Sequence, residues 1–118
     1  MKKLAALRGA VRTENTEKDI AEQVVRLYDR LLRSNNLAEQ DIVSVIFSVT
    51  GDIDALNPAA ALRNAGRAEQ LALMVFQEGR FSGGLSGTVR VLIHCGLEGS
   101  PRHVYMNGAE VLRPDRAP

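Results

Sequence analysis

Two kinds of hydrophobic spacing alternate along this chain. Leu4 to Leu7 form an apolar run that ends at Arg8-Gly9-Ala10, and the pattern predicts a strand from Lys3 to Val11. The glycine after Arg8 lets the backbone approach a neighbour closely. Ile20, Val24, Leu27 and Leu31 then recur at helical spacing, with Glu22, Arg26, Arg30 and Arg33 on the outer side. Asn15 or Thr16 can cap this helix, and Asn35-Asn36 can end it. Leu37 to Asp41 read as a short helical turn. Ile42 to Val49 read as a second strand, with Val43, Val45, Phe47 and Val49 on one face and Ser44 and Ser48 on the other. Ile46 on the polar face implies partial burial on both sides.

Asn57-Pro58 announces a second, short helix that ends near Gly66. Leu71 to Phe76 and Thr88 to Cys95 predict two further strands around the glycine-rich loop Gln77–Gly87. His103–Met106 and Ala109–Leu112 flank Asn107-Gly108, which is a two-residue hairpin signal. The resulting order, β-α-β-α-β-β with a terminal ribbon, predicts an α+β fold in which helices cover a mixed β-sheet.

Composition narrows the function classes. A chain of 118 residues forms a single domain, 1–118, with 116–118 expected as a frayed tail. The net charge of +1 and the absence of a basic stripe argue against nucleic acid. Trp is absent and aromatics are few, so base-stacking platforms are not expected. The longest strictly apolar run, Leu71–Phe76, cannot span a bilayer, and Met1-Lys2-Lys3-Leu4 is not a signal peptide. The single cysteine, Cys95, excludes an internal disulfide and suits a cytoplasmic protein. His94, Cys95 and His103 lack metal-ligand spacing. Arginine outnumbers lysine twelve to three, so the positions of particular arginines matter more than their number.

The chemistry concentrates in residues 74–95. Glu78 closes one apolar run, and Arg90 stands alone among Val89, Val91, Leu92 and Ile93. A charge in an apolar strand is costly unless it meets a partner or a ligand. From these residues alone, a structural pair with Glu78 and a ligand role remain equally open. No Ser-His-Asp set, P-loop or zinc motif is present, and Gly83-Gly84 with Gly87 precede a strand where a dinucleotide fingerprint needs a helix. What remains is Arg8, Arg63, Arg90 and Arg113 at element ends, with Glu78 and Tyr105. Such a set suits a small polyanion bearing a hydroxyl.

The same residues carry a resemblance. Arg8-Gly9-Ala10, Thr50-x-Asp52-Ile53 followed by Pro58-Ala59 and Arg63, Glu78 with Gly83-Gly84 and Arg90, and Arg102-His103-Val104-Tyr105 leading to Leu112-Arg113-Pro114-Asp115 resemble the AroH-class chorismate mutases across essentially the whole chain. The resemblance implies a homotrimeric pseudo-barrel with sites at subunit interfaces. It also implies conversion of chorismate to prephenate by a [3,3] rearrangement that needs no cofactor or metal. By the family pattern Arg90 stabilises charge on the ether oxygen and Arg8 binds a carboxylate with help from Tyr105. Glu78 accepts from the ring hydroxyl. The backbone of Met74, Val75, Phe76 and Gln77 lines that side, and Ala59, Arg63, Leu112 and Arg113 close the mouth.

Asn57, Ala60 and Val75 depart from the family, where phenylalanine, lysine and cysteine are usual. The first two weaken an apolar lid and long-range attraction for a dianion, and Val75 removes a side-chain contact to the substrate hydroxyl. Two other readings compete: a non-catalytic trimeric binder of a small dicarboxylate, and a deaminase of the related trimeric fold.

Overall fold

The structure, a computed structural model, describes residues 1–112. Five strands and two helices occur in the order β1 (Lys3–Arg12), α1 (Glu17–Ser34), β2 (Ile42–Val49), α2 (Pro58–Asn64), β3 (Ala72–Gln77), β4 (Thr88–Leu97) and β5 (Val104–Met106). Single 3-10 turns at Glu39–Asp41 and Ala109–Leu112 complete the chain. The sheet runs β3-β2-β4-β1-β5. β4 lies antiparallel between β1 and β2, while β3 and β5 add in parallel at the two edges. The sheet is therefore mixed, and α2 makes the crossover that a parallel β2–β3 pair requires.

Helix α1 forms where the apolar period predicts. Thr16 is its cap and accepts from the Asp19 N–H at 3.1 Å, with Glu17 and Asp19 at the positive end of the helix dipole. Ile20, Val24, Leu27, Tyr28 and Leu31 form its buried stripe. They pack on Leu7, Val11, Val45, Phe47, Val89, Val91 and Ile93 from one sheet face. Each such side chain contributes about 1.5–3 kcal/mol when fully buried. The close approach that Gly9 permits is to this layer: a Cβ there would stand 2.9 Å from Leu31 Cδ1 and 3.0 Å from the Val104 carbonyl. Helix α2 starts at Pro58 under the Asn57 cap, whose carboxamide accepts from the Ala59 N–H at 2.8 Å, and it buries Ala61 and Leu62 in the same core.

A polar clamp fixes the descent from α2 into β3. Arg67 pairs with both oxygens of Asp29 at 3.0 and 2.9 Å. The Glu39 carboxylate accepts from the Ala68 N–H at 2.8 Å and from the Tyr28 hydroxyl. Burial, reinforced by Glu39, pushes the Tyr28 hydroxyl far above its ordinary pKa.

Two sequence expectations change here. A bulge between Ile42 and Ser44 turns Ile42 to the core and leaves Val43 exposed, so Val43 does not share a face with Val45 and Phe47. The predicted terminal hairpin is absent. Asn107 and Gly108 do adopt the positive φ values of a tight turn, 56° and 94°. The chain then closes a 3-10 turn over Ala109–Leu112, because burying Ala109 beside Ala10 and Tyr105 draws it onto the sheet face. The short strand before the turn instead pairs in parallel with β1. Arg113 and the expected tail at 116–118 lie outside the described residues.

Candidate active site

Helices cover only one face of the sheet. Residues of alternate parity point to the other face, where Leu4, Met74 and Phe76 are 79%, 56% and 51% exposed. Arg90 belongs to this uncovered face, since Val89, Val91 and Ile93 turn to the core. Strand β4 looks buried in sequence because three of its neighbours are. Arg90 itself has a side chain 44% exposed.

Register then aligns one row across the whole sheet. Phe76 pairs with Ser48, Ser48 with Arg90, Arg90 with Ala10, and Ala10 with Tyr105. Glu78, just past the end of β3, is drawn over β2 by its N–H, which donates to the Val49 carbonyl at 2.9 Å. Its Oε2 accepts from Ser48 Oγ at 3.1 Å and lies 3.3 Å from Arg90 Nε. The guanidinium N–H groups of Arg90 donate no hydrogen bond to a described residue, and Glu78 Oε1 accepts none from one. With the Arg90 side chain 44% exposed, solvent screens the pair, which contributes about 1 kcal/mol to stability. Folding alone therefore gives little reason for it, and its free donors and acceptor face outward.

Beyond Ala10, Tyr105 is buried with Ala10 and Ala109, and Leu112 packs on this group. Arg8 sits two residues from Ala10 on the same face of β1, opposite Leu92 and diagonal to Arg90. Its N–H donates to His103 Nδ1 at 2.9 Å, which ties β1 to the segment leading into β5. The Arg8 guanidinium pairs with no carboxylate among the described residues. Arg8, Glu78, Arg90, Tyr105 and Leu112 thus gather on one sheet face.

The remaining sequence candidates stand elsewhere in the chain. Ala59 and Arg63 lie on α2, in the helix layer packed against α1 and β3. Arg63 is exposed and makes no ion pair among the described residues. Met74, Val75, Phe76 and Gln77 lie on β3, an edge strand with one side unpaired. The side chain of Val75 packs on the helix-covered core, opposite Phe47, so toward the open edge this position offers backbone. Ser48, which donates to Glu78, joins this candidate group and is one that sequence reasoning misses. Its signal is a hydroxyl on the polar face of a strand, visible in the pattern but without a partner until the register is known.

A separate polar cleft of about 570 Å³ lies between Thr13–Asn15, Asp52-Ile53 and Ser86-Gly87. Its carboxylates serve as loop caps. Asp52 accepts from the Gly87 N–H at 2.9 Å and from Thr50, and the Thr50 hydroxyl and Gly87 amide hold its pKa below the usual carboxylate range. The Glu14 amide, followed by Gln23 and Thr13, does the same for Asp19. Among the described residues no three His, Cys, Asp or Glu side chains converge to hold a metal ion, and no helix is long and apolar enough to cross a membrane.

Fold and site together define a small α+β protein with an acid–cation pair on a sheet face that its α-helices leave uncovered. Its sequence matches chorismate mutase type I over residues 4–116, and the chain belongs to that family. It is 30% identical over 116 residues to chorismate mutase AroH of Bacillus subtilis (strain 168), covering 95% of this chain and 91% of that protein. It is 32% identical over 114 residues to chorismate mutase AroH of Thermus thermophilus, covering 92% and 93% respectively. A solved chorismate mutase from Clostridium thermocellum superposes with a TM-score of 0.85 at 39% identity, over 91% of this chain and 98% of that one. The chain is thus an isomerase, and the deaminase and non-catalytic readings fall away.

Proposed function

We propose that the open sheet face is where this chorismate mutase folds and rearranges chorismate to prephenate for phenylalanine and tyrosine biosynthesis. The observation that carries the assignment is the Glu78–Arg90 pair, solvent-screened at the arginine, weak as a stability device and with guanidinium donors and a carboxylate oxygen left unused among the described residues. The reaction is a unimolecular [3,3] shift in which an ether C–O bond breaks as a C–C bond forms. It needs a compact substrate conformer and a cation where negative charge grows on the ether oxygen. Arg90 supplies that cation. A single preorganised donor of this kind is worth on the order of 10²–10³ in rate. Glu78 Oε1 accepts from the ring hydroxyl. Arg8 and the Tyr105 hydroxyl hold a carboxylate, and the guanidinium suits it because its planar fork matches a carboxylate bidentately.

One chain supplies only part of this enclosure. Ala59, Arg63 and the unpaired edge of β3 at Met74–Gln77 complete it from a neighbouring chain in a homotrimer, while Leu112 and Arg113 close the mouth. The exposed Met74 and Phe76, side by side on β3, support that assembly, since apolar surface on an uncovered sheet face marks an association site. With its only cysteine buried and unpaired, the enzyme suits the cytoplasm.

The test is loss of chorismate absorbance on adding pure protein, with Arg90→Ala as comparison. Acceleration over buffer that disappears in the variant supports the site. A variant as active as the parent would reject it. Binding of a transition-state mimic without turnover would reject catalysis while keeping the pocket.

A further inference from the structure

The sheet presents a third polar group to the Glu78–Arg90 pair. Ser48 stands directly opposite Arg90 on β2, half-buried, and its hydroxyl donates to the same Glu78 oxygen that Arg90 approaches. Glu78 lies just past the end of β3, at the start of a long loop, where its N–H donates to the Val49 carbonyl. A glutamate side chain turns about three χ angles, so the backbone does not by itself set which oxygen meets Arg90. Without a second partner, the favoured arrangement of a carboxylate beside a guanidinium is the two-point fork, in which both oxygens take an N–H each. That fork would occupy Glu78 Oε1 and two of the five guanidinium N–H donors of Arg90.

We propose that Ser48 is a positioning residue: its hydroxyl pins Glu78 Oε2 and holds the carboxylate out of the fork, which leaves Oε1 and the Arg90 N–H groups for substrate. This role rests on the proposed chorismate site and adds a residue that acts only through Glu78. The geometry favours it over simple strand packing. A serine contributes little apolar burial, and Ile46 and Leu92 already fill the next row of that face. The hydroxyl donates to no other described residue. A hydrogen bond to a charged acceptor is also among the stronger kinds a hydroxyl can make.

The test is a double-mutant cycle in chorismate turnover with Ser48→Ala, Glu78→Gln and the two combined. Ser48→Thr serves as the conservative variant, and each protein is checked for thermal midpoint and oligomeric mass. Ser48→Ala is expected to lower kcat/KM by roughly ten-fold with the thermal midpoint nearly unchanged, as loss of one charge-assisted hydrogen bond predicts. Ser48→Thr should recover most of that loss, since it keeps the hydroxyl. In the Glu78→Gln background, Ser48→Ala should cost little further, because the group it positions is already impaired. Wild-type kinetics in Ser48→Ala, or equal losses in both backgrounds, would overturn the role of the hydroxyl alone. Full activity in Glu78→Gln would overturn the site reading and this role with it.

Discussion

Ala10 pairs directly with Arg90 across the β1–β4 ladder and, on its other side, with Tyr105 across the β1–β5 ladder. Adjacent strands stand about 4.8 Å apart, so Arg90 and Tyr105 are separated by one strand that carries only a methyl group. That small residue lets Tyr105 and Ala109 pack directly over β1 beside Arg90. Ala10 is itself fully buried beneath Tyr105 and Ala109. Ala10→Leu should therefore reduce kcat/KM by at least ten-fold and destabilise by about 1–3 kcal/mol through overpacking. Chorismate turnover and a thermal melt check the two effects separately. Unchanged turnover would show that this packing does not position Tyr105 for the reaction.

Arg90 should be replaceable without loss of fold. Its side chain is 44% exposed and its ion pair is weak, so Arg90→Ala should move the thermal midpoint by only a few degrees. Turnover should fall on the order of 10²–10³ or more. Arg90→Lys should recover little, because a point charge cannot reproduce the directed N–H fork. A lysine variant of near-parental rate would mean that charge alone suffices.

The apolar open face should control assembly. Phe76 ends the row that runs through Ser48 to Arg90, and it is half exposed in the single chain. Sedimentation should give three chain masses for the parent. Phe76→Asp should shift it toward the monomer with a matching loss of activity at low concentration, since an unpaired carboxylate buried in an apolar contact is strongly unfavourable. A monomeric parent with full activity would contradict sites shared between chains.

Acid should weaken the fold partly through Asp52. Its pKa is lowered in the folded chain by the Thr50 hydroxyl and the Gly87 amide. A lowered carboxylate pKa contributes stability that is present above the unfolded value, near 4, and is lost as pH falls through the folded value. Asp52→Asn should thus melt earlier than the parent at neutral pH and show a shallower decline below about pH 4. Melts across pH 2–7 measure this, and parallel curves would sink the assignment.

Cys95 should be chemically silent. It is fully buried on β4, and that burial raises its thiol pKa. The thiolate is the reactive form, so an aromatic disulfide reagent should find no thiol until denaturant unfolds the chain. Fast labelling of the native protein would show that β4 opens locally.

The strand and helix pattern is legible in the sequence wherever one face meets the core. The buried stripe of α1 and the limits of β2 follow from side-chain periodicity, which is a local property. Val43 and the Ala109–Leu112 segment escape that logic for related reasons. A bulge changes parity without changing composition, and an Asn-Gly turn bends the chain without fixing the conformation of the residues after it. For the site, the arginines and Glu78 stand out as charges in apolar surroundings. Ser48 does not, because a serine on a strand carries no cost that demands explanation.

By itself the sequence determined which residues could do chemistry and where the buried stripe of α1 falls, since desolvation cost and hydrophobic period attach to residue type and spacing. Only the tertiary structure decided that Ser48, Arg90, Ala10 and Tyr105 share one row. Their alignment depends on the register of four strands drawn from separate stretches of the chain. Strand order and register are fixed by packing and ladder hydrogen bonds between distant segments, and no local pattern encodes them.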